Sequence, residues 1–374
     1  MGWPVDQRWR DALATPHQLD WLVTATRGGV VLADNIDVES VSYQASWDEW
    51  QITREVRIDV CDPEQTLLSE KPDAPLAPWG QRVHVRARLS IGDAWSAIIP
   101  MGQFRIEETG VSAGYARLLQ RDGTWLSLGQ NLTVTGRDML QQLADEKWIG
   151  VVQLGASTVR QGWARLVSGT DIGLEQWSAD APVPASLQAG EAKLDTAAAL
   201  TRLDGRVAWC DRAGRIQLSS AAVGANTTWD FTPGDDVGVS WSPQATRTGI
   251  VNAAAVHGED DGSSSPEVWG SAFDTTGPLA WGGPFGRIPA VETSKTATTA
   301  AIATAEAHTM LAQTTGSRMA TVKITAPANP AIDVLDTARI VTPERTMTGL
   351  VTAVDISTEM TCTVQVPWEQ VWHD

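Results

Sequence analysis

The chain has 374 residues, 43% of them hydrophobic and 20% charged, which is ordinary for a globular protein and sufficient for two or three domains. Its 28 basic and 45 acidic residues give a formal net charge of −17, which disfavours general nucleic-acid binding because that needs a positive surface. No apolar run is long enough for a transmembrane helix, and we expect no secretory signal because the first residues lack its basic and apolar pattern.

Three residue types carry further information. The chain has 18 Trp but only 4 Phe and 2 Tyr, a bias that a GC-rich genome would produce, with interface anchoring or sugar stacking as the alternative. The cysteines, Cys61, Cys210 and Cys362, lie far apart without C-x-x-C spacing, which predicts reduced core thiols. The acidic balance fits plain solubility, and it also fits the wall of a conduit through which DNA passes without sticking.

The first third of the sequence predicts a short helix followed by many strands. Asp6 can cap a helix over 5–14, and Pro16 lies beyond its end. Alternation predicts strands over 19–26, 29–32, 38–46 and 52–61, and in the last of these one face carries Ile52, Arg54, Val56, Ile58 and Val60. After a proline-rich loop over 62–80, the strands predicted at 83–89, 95–100, 104–108 and 132–135 indicate a small antiparallel barrel or sandwich.

The hydrophobic period changes after Asp138. Helices are predicted from 138, over 159–167 and over 195–203, and a hairpin is predicted from strands 206–210 and 215–219. This order indicates an α/β insertion and not a Rossmann unit. Strands return at 229–231 and 249–258, a polar Gly/Pro-rich stretch covers 259–288, and a long helix is predicted within 294–312 before the last strands.

The C-terminal half loosely repeats a pattern of the N-terminal half. The segments 79–85, 101–106 and 132–135 correspond to 336–341, 348–354 and 362–366. Each copy has an arginine-bearing strand (Arg82, Arg339), a glycine opening a second strand (Gly102, Gly349) and a final Thr-Val strand. Two related β modules in one chain favour a ring-building structural role, because three such chains can close a ring of six modules.

The sequence lacks the common catalytic motifs of enzymes. The nucleophile elbow, the zinc-protease motif and the P-loop are all missing from the sequence. The glycine-rich stretch 282–286 predicts a loop, since Pro284 lacks an amide donor and no Lys-Ser/Thr pair follows. The five histidines show no metal-ligand spacing: His17, His84, His257, His308 and His373.

Two acidic groups are the remaining candidates for chemistry. The run 259–261 lacks the alternating oxygen ligands of a calcium loop and predicts a solvated hairpin tip. Asp48 and Glu49, flanked by Trp47 and Trp50, give the single hint of sugar hydrolysis, but adjacent strand residues point to opposite faces. We therefore predict a protein that is not an enzyme, with no catalytic, cofactor-binding or metal site and no cofactor.

The order of short motifs resembles a known family. The series PLAPWGQRVHV, PMGQFRIEE and LTVTGRDMLQQLAD is similar to the tail hub, or baseplate hub, proteins of long-tailed bacteriophages, especially the siphophage minor tail proteins of GC-rich hosts. RVAWCDRAGRIQLS, TGIVNAAAVHGE, TAEAHTMLAQ and APANPAIDVLDTARIV follow in the family's order. The resemblance covers roughly residues 40–374 and leaves 1–35 and 109–131 without a counterpart.

This resemblance implies a mainly β fold with an α/β part: two tube-like antiparallel β-barrels per chain plus a lateral α/β domain. We expect the first barrel with an N-terminal arm in 1–137, the lateral domain in 138–222 with 258–316, and the second barrel in 223–257 with 317–374. The implied protein is a homotrimer at the virion tail tip, made in the host cytoplasm. Its implied partners are the tail-tube, distal tail and tape-measure proteins and the tail-tip fibres or spike, with DNA passing through without specific binding.

Two other classes stay open at this stage. A receptor-binding protein, or adhesin, of the tail tip would present a shallow exposed Trp groove, and a cell-wall-degrading tail enzyme would hold a buried carboxylate pair. A hub instead predicts that outward Trp side chains lie at subunit contacts. The long loops over 62–80 and 259–288 are expected to contact neighbouring tail proteins.

Overall fold

The structure, a computed structural model, is mainly β with an α/β part, as predicted. It describes residues 5–48, 50–68, 71–118, 124–150, 152–175, 180–185, 187, 189–234, 238–241, 250–258, 268–276, 279–294, 296–314, 319–367 and 370. Among these, 16 strands share one continuous sheet and 3 strands form a separate sheet. None of the described helices is long and apolar enough to cross a membrane.

The first β unit follows helix α1 (Gln7–Leu13), whose first turn is capped by the Asp6 carboxylate 2.9 Å from the Trp9 amide nitrogen. Its strands alternate apolar and polar residues, so every second side chain enters the core. In space their order is β3-β4-β7-β6-β5-β1-β2, with antiparallel neighbours throughout. The bounds are β1 (Gln18–Arg27), β2 (Val30–Ile36), β3 (Val38–Asp48), β4 (Gln51–Asp62), β5 (Gln81–Ile91), β6 (Trp95–Leu118) and β7 (Thr124–Asp138).

A part made of helices and a hairpin comes next. After a 3-10 turn at Met139–Gln141 it contains α2 (Gln142–Asp145), α3 (Val159–Val167), β8 (Gly173–Leu174), α4 (Lys193–Asp204), β9 (Val207–Cys210) and β10 (Arg215–Ser219). Helix α3 is amphipathic and buries Trp163 and Leu166 in the cluster that also holds Leu200 of α4. The predicted hairpin is confirmed as β9 and β10.

Strands β11 (Thr228–Phe231) and β12 (Gly238–Trp241) precede a separate module. It consists of β13 (Ala253–Gly258), β14 (Trp269–Phe273), β15 (Pro289–Ser294) and helix α5 (Ala300–Thr314), which packs on the small sheet. Gly270 allows this close packing, since a Cβ there would lie 2.1 Å from the Thr304 nitrogen.

The position of β13 corrects one expectation. We expected residues 253–257 in the second barrel, but β13 pairs with β14 and β15 instead. The Asn252 side chain explains this placement. Its amide group bonds the carbonyls of Leu279 and Gly286 at 3.0 and 2.9 Å and accepts a hydrogen bond from the Ile288 amide, which ties the start of β13 to the chain before β15.

The second β unit is completed by β16 (Met319–Pro327), β17 (Thr337–Val341), β18 (Thr346–Ile356) and β19 (Glu359–Pro367). Its order, β17-β18-β19-β16-β12, is antiparallel throughout, and β11 pairs with β17 in parallel. The first unit contains the same arrangement as β5-β6-β7-β4-β3. The strand order behind the predicted repeat is therefore present in both units.

The repeat also needs one correction at its glycines. Gly349 pairs with Ala338, one residue before Arg339, whereas Gly102 pairs with Val85, three residues after Arg82. The two glycines consequently occupy different places. Gly349 is required by a close approach, since a Cβ there would lie 2.2 Å from the Gln365 carbonyl oxygen, while Gly102 lies against the Phe104 ring.

The cores are arranged differently from the expected domains. Both β units share one hydrophobic cluster, the part from α2 to β10 has its own, and α5 with the small sheet has a third. The described residues of the expected lateral domain thus fall mainly into two clusters, while Val207 and Trp209 belong to the shared β core, and the exact division into domains stays a proposal. Cys210 and Cys362 are buried and Cys61 is half-buried, all three as free thiols.

Candidate functional site

The junction between the two β units is the first candidate site. Strand β18 of the second unit pairs antiparallel with β3 of the first, from Ala353 opposite Ser46 to Ile356 opposite Tyr43. This pairing joins the two units edge to edge into one sheet. The relative position of the units is therefore fixed by backbone hydrogen bonds within the chain.

A buried arginine binds the parts of the chain together at this junction. Arg54 of β4 is 3% exposed, and its Nη2 atom lies 2.9 and 3.1 Å from the carboxylate oxygens of Asp333, which precedes β17. Its Nε donates to the Tyr43 hydroxyl at 3.0 Å, and its Nη1 donates to the Cys210 carbonyl at 2.6 Å. One guanidinium thus contacts both β units and the β9-β10 hairpin.

The electrostatics show why this cluster stays charged. Burial raises the pKa of Asp333, but the positive charges of Arg54 and Arg212 outweigh it and hold that pKa below its usual value. Burial lowers the pKa of Arg54, while Asp333 and Tyr43 raise it by a larger amount. Burial and the nearby Asp333 carboxylate raise the pKa of Tyr43 to about 12. The pair is ionised and the phenol is neutral at pH 7.

Asp138 is a second buried carboxylate at the same place. Its Oδ2 accepts the Arg54 amide at 3.0 Å, and its Oδ1 accepts the Leu140 amide at 3.1 Å, which caps the 3-10 turn. Burial raises its pKa to about 6, although Arg54 and the backbone amides act in the opposite direction. Asp138 therefore connects the end of β7 to β4 and can change charge near neutral pH.

Sequence reasoning missed this cluster, although it carried a signal. Arg54 falls on the apolar face of the alternating β4 pattern, where a charge needs a buried partner. Asp333 lies within 328–336, a segment of the second unit in which every residue is buried. Each of these two apolar patterns contains charge, a positive one in β4 and negative ones in 328–336. An ion pair between Arg54 and this segment could therefore have been predicted from the sequence.

The described histidines do not come together in one site. His84 is half-buried in β5, where its Nε2 lies 3.0 Å from the Thr26 hydroxyl. Burial lowers its pKa, and the positive charges of Arg82 and Arg86 lower it further. His308 lies on α5 and His17 precedes β1, while His373 is outside the described residues. Within the described part of the chain, no group of three or more His, Cys, Asp or Glu could hold a metal ion.

Of the acidic candidates for chemistry, Asp48 alone belongs to the described residues. Asp48 ends β3, whereas Glu49 and the acidic run 259–261 lie outside the described residues. Trp47 packs against the shared β core and Trp50 against the cluster from α2 to β10. The stretch 282–286 forms a tight turn in which the Gly286 amide bonds the Gly283 carbonyl at 3.0 Å.

The loop over 62–80 is held against the first β unit. Asp62 accepts hydrogen bonds from the amides of Thr66 and Leu67 and from the Gln130 side chain. Leu76 is buried, and its carbonyl accepts the Thr109 hydroxyl at 2.6 Å. Near the end of the loop Trp79 is 64% exposed. The described part of the loop thus packs against the first β unit and exposes one large apolar side chain, that of Trp79.

An aromatic face on the small sheet is the second candidate site. Trp269 of β14 is 49% exposed and stacks on His257 of β13, with ring centroids 4.6 Å apart. Phe273 is 46% exposed and lies 5.2 Å from Trp281 between ring centroids. Val291 of β15, 57% exposed, faces Ala255 in the same register. This face lies opposite the one that packs on α5.

Comparisons with known proteins give the class of fold. The chain matches no protein-family model and no curated protein sequence. Solved structures do match, among them the 43 kDa tail protein of prophage MuSo2 from Shewanella oneidensis, with a TM-score of 0.55, 13% identity, and coverage of 92% of this chain and 98% of that one.

Two further solved structures agree. The tail protein of Neisseria meningitidis MC58 has a TM-score of 0.55, 13% identity, and coverage of 92% of this chain and 96% of that one. Prophage tail protein gp18 of Listeria monocytogenes EGD-e has a TM-score of 0.50, 8% identity, and coverage of 91% and 94%. The chain has the fold of phage tail proteins, which confirms the mainly β fold with an α/β part that the sequence resemblance implied, while the number of barrels stays a proposal.

Proposed function

We propose that this chain is the structural hub of a long-tailed phage tail tip. In the proposed assembly three chains form a ring of six β-barrels that continues the tail tube, joins it to the distal tail proteins and fibres, and lets DNA pass during genome ejection. The fold of phage tail proteins supports a structural role in a tail, and the role proposed is not enzymatic. Fold alone does not fix function, so the proposal needs its own evidence.

The observation that carries this proposal is the edge-to-edge junction of two units with the same strand order. β18 of the second unit pairs with β3 of the first, and in the proposed ring this pairing is the step, that is the contact, between two neighbouring units. If each unit is one sixth of a ring, repeating that step closes it with three chains. The buried pair Arg54–Asp333 supports the proposal because it holds the step at a fixed angle.

The acidic balance supports passage of DNA through such a ring. With a net charge of −17, a lumen that repels phosphate lets the strand slide instead of binding it. The proposed partners are the tail-tube protein above, the tape-measure protein inside, and the fibres or spike below. In this proposal the chain belongs to the tail tip of the virion.

Cryo-electron microscopy of the purified chain, and of the tail tip that contains it, tests the ring. We expect threefold symmetry with sixfold pseudo-symmetry and a channel whose inward strands carry more Asp and Glu than Arg and Lys. A monomer or a twofold dimer in the tail-tip map would contradict the ring. A threefold ring with a strongly basic lumen would keep the ring and contradict the DNA conduit.

The aromatic face favours receptor binding as the second candidate function. Exposed aromatic rings on a sheet can stack on the apolar faces of sugar rings, and Trp269 and Phe273 present such rings at the two ends of β14, on the same face of the strand. In this alternative the small sheet and α5 attach the tail tip to a cell-surface glycan.

Replacing Trp269 with alanine distinguishes this function from the hub role. If the face binds a glycan, the variant should bind host cells or isolated wall glycans at least about tenfold more weakly, because the stacking ring is lost. Val223→Ala is the control, since Val223 is 48% exposed and lies outside the face. Equal binding by both variants would contradict glycan binding by this face and favour the hub over receptor binding.

A further inference from the structure

A groove on the first β unit runs along one edge of strand β1. It has a volume of about 530 Å³ and is lined by residues 19–22 of β1, by 35–39, where β2 ends and β3 begins, and by Arg88 of β5. It contains none of the residues of the junction cluster or of the aromatic face. The groove is therefore a separate feature of the molecule, with neither proposed function assigned to it.

The groove exists because β2 leaves β1 halfway along its length. β2 pairs with the second half of β1 as far as Val23, and among the described strands β5 alone pairs with the first half, over 18–22. The departure follows a β-bulge between Ala33 and Ile36, where Asn35 has a φ of 49°. A bulge bends the strand that carries it and can end its pairing, so β1 keeps an open edge over 18–22.

Burial along β1 shows that this edge lacks a cover. Every second side chain of the strand points toward the shared β core. Val23 and Ala25, which lie beside β2, are 0% exposed. Leu19 and Trp21, which lie beside the groove, pack against the same core but are half-buried. A strand added at the groove covers the second pair as β2 covers the first.

The groove carries an excess of negative charge. Asp20 is matched by Arg88, whose Nη2 lies 2.7 Å from its Oδ2. Asp37 and Glu39 are exposed and have no ion pair among the described residues. They flank Val38, which packs against the core, so both carboxylates point outward on the same side. A segment seated in the groove meets apolar side chains toward the core and unpaired carboxylates toward solvent.

We propose that this groove binds an extended segment of a partner protein in which apolar and basic residues alternate, and that the segment adds a strand to β1 over 18–22. Its backbone bonds the edge that β2 leaves open, and its apolar side chains cover Leu19 and Trp21. Its basic side chains face Asp37 and Glu39, and the net charge of −17 steers such a segment toward the chain. The groove belongs to a single chain, so this binding stands or falls separately from the proposed ring.

Fluorescence polarisation with labelled peptides and the full chain tests the proposal. The probe is a peptide of alternating valine and lysine, about six residues long to match the open edge, and we expect it to bind saturably. A peptide with glutamate in place of lysine should not bind. A peptide with a central proline should bind at least about tenfold more weakly, because proline lacks the amide hydrogen that strand pairing needs. Absence of binding by the lysine peptide, or equal binding by the proline peptide, would overturn strand addition.

Two charge reversals distinguish the groove from the overall charge of the chain. Glu39→Lys and Glu359→Lys change the net charge equally, but Glu359 begins β19 in the second unit and lies outside the groove. We expect Glu39→Lys to weaken binding of the alternating peptide about fivefold or more, and Glu359→Lys to change it by less than about twofold. Circular dichroism checks that both variants are folded. Equal weakening in the two variants would mean that overall charge binds the peptide, which would overturn the assignment to the groove.

Hydrogen exchange of the wild-type chain gives a readout that needs no variant. Every second amide within 18–22 points away from β5, so it should exchange quickly in the free chain and slowly when the alternating peptide is bound. Slow exchange of these amides in the free chain would mean that the chain itself or a second copy already covers the edge. That result, or peptide binding without protection of 18–22, would overturn the proposal.

Discussion

Replacing Asp333 with asparagine should lower the free energy of unfolding by about 3–5 kcal/mol, the range for removing one partner of a buried ion pair. The substitution keeps the shape of the side chain and removes its charge. Arg54, 3% exposed, would then hold a positive charge in the core with no carboxylate opposite its Nη2 atom. Urea unfolding followed by circular dichroism measures the loss as a lower midpoint.

Asp230→Asn is the matched control for this change. Asp230 also accepts two hydrogen bonds from one arginine, Arg339, at 2.6 and 2.8 Å, but that pair is about half exposed. Exposed pairs contribute about 0–1 kcal/mol, so the control should shift the midpoint little. Equal losses in the two variants would mean that burial at the junction does not set the strength of the Arg54–Asp333 pair.

The consequence for assembly follows from where the pair lies. Arg54 belongs to the first unit and Asp333 to the second, so a weaker pair loosens the step from unit to unit. A ring closes when successive steps share one angle, since small errors add around the circle. Asp333→Asn should therefore impair ring formation under conditions in which the chain is still folded.

Local patterns predicted the elements well. Helix α3 runs over Val159–Val167 as its apolar spacing indicates, and the alternating pattern over 52–61 is β4 (Gln51–Asp62). These predictions succeed because periodicity records which side of an element faces the core. The described residues of 109–131, a segment that lacks a counterpart in the family series, belong to strands β6 and β7, whose pairing extends beyond that of β18 and β19 in the second unit.

Partners across the chain were harder to predict. The pattern of 249–258 predicts a strand, but its partners β14 and β15 and the Asn252 contacts with the chain before β15 are long-range features that the pattern does not contain. The predicted equivalence of Gly102 and Gly349 in the repeat was wrong, because the two glycines pack against different neighbours, the Phe104 ring and the Gln365 carbonyl. Arg54 and Asp333 are 279 positions apart in the sequence. Local periodicity carries no information about contacts at that separation.

Asp138→Asn should change how stability depends on pH. The folded-state pKa of Asp138 is raised from 3.8 to about 6 by burial, so the unfolded chain loses this proton at lower pH than the folded chain does. The wild-type protein therefore loses stability from this group as pH rises from about 4 to about 6, and the loss is complete above that range. The full difference is about 3 kcal/mol, because each pKa unit is worth about 1.4 kcal/mol.

The measurement is the difference in unfolding free energy between Asp138→Asn and the wild-type chain at each pH. Asparagine cannot accept both backbone hydrogen bonds, from the Arg54 and Leu140 amides, so the variant has a cost that is the same at every pH. The difference should nevertheless move in favour of the variant by about 2 kcal/mol between pH 4 and pH 7, because part of the full change already occurs below pH 4. A difference that is flat with pH would mean that Asp138 keeps an ordinary pKa, and that the Arg54 charge and the two amides fully compensate its burial at the junction.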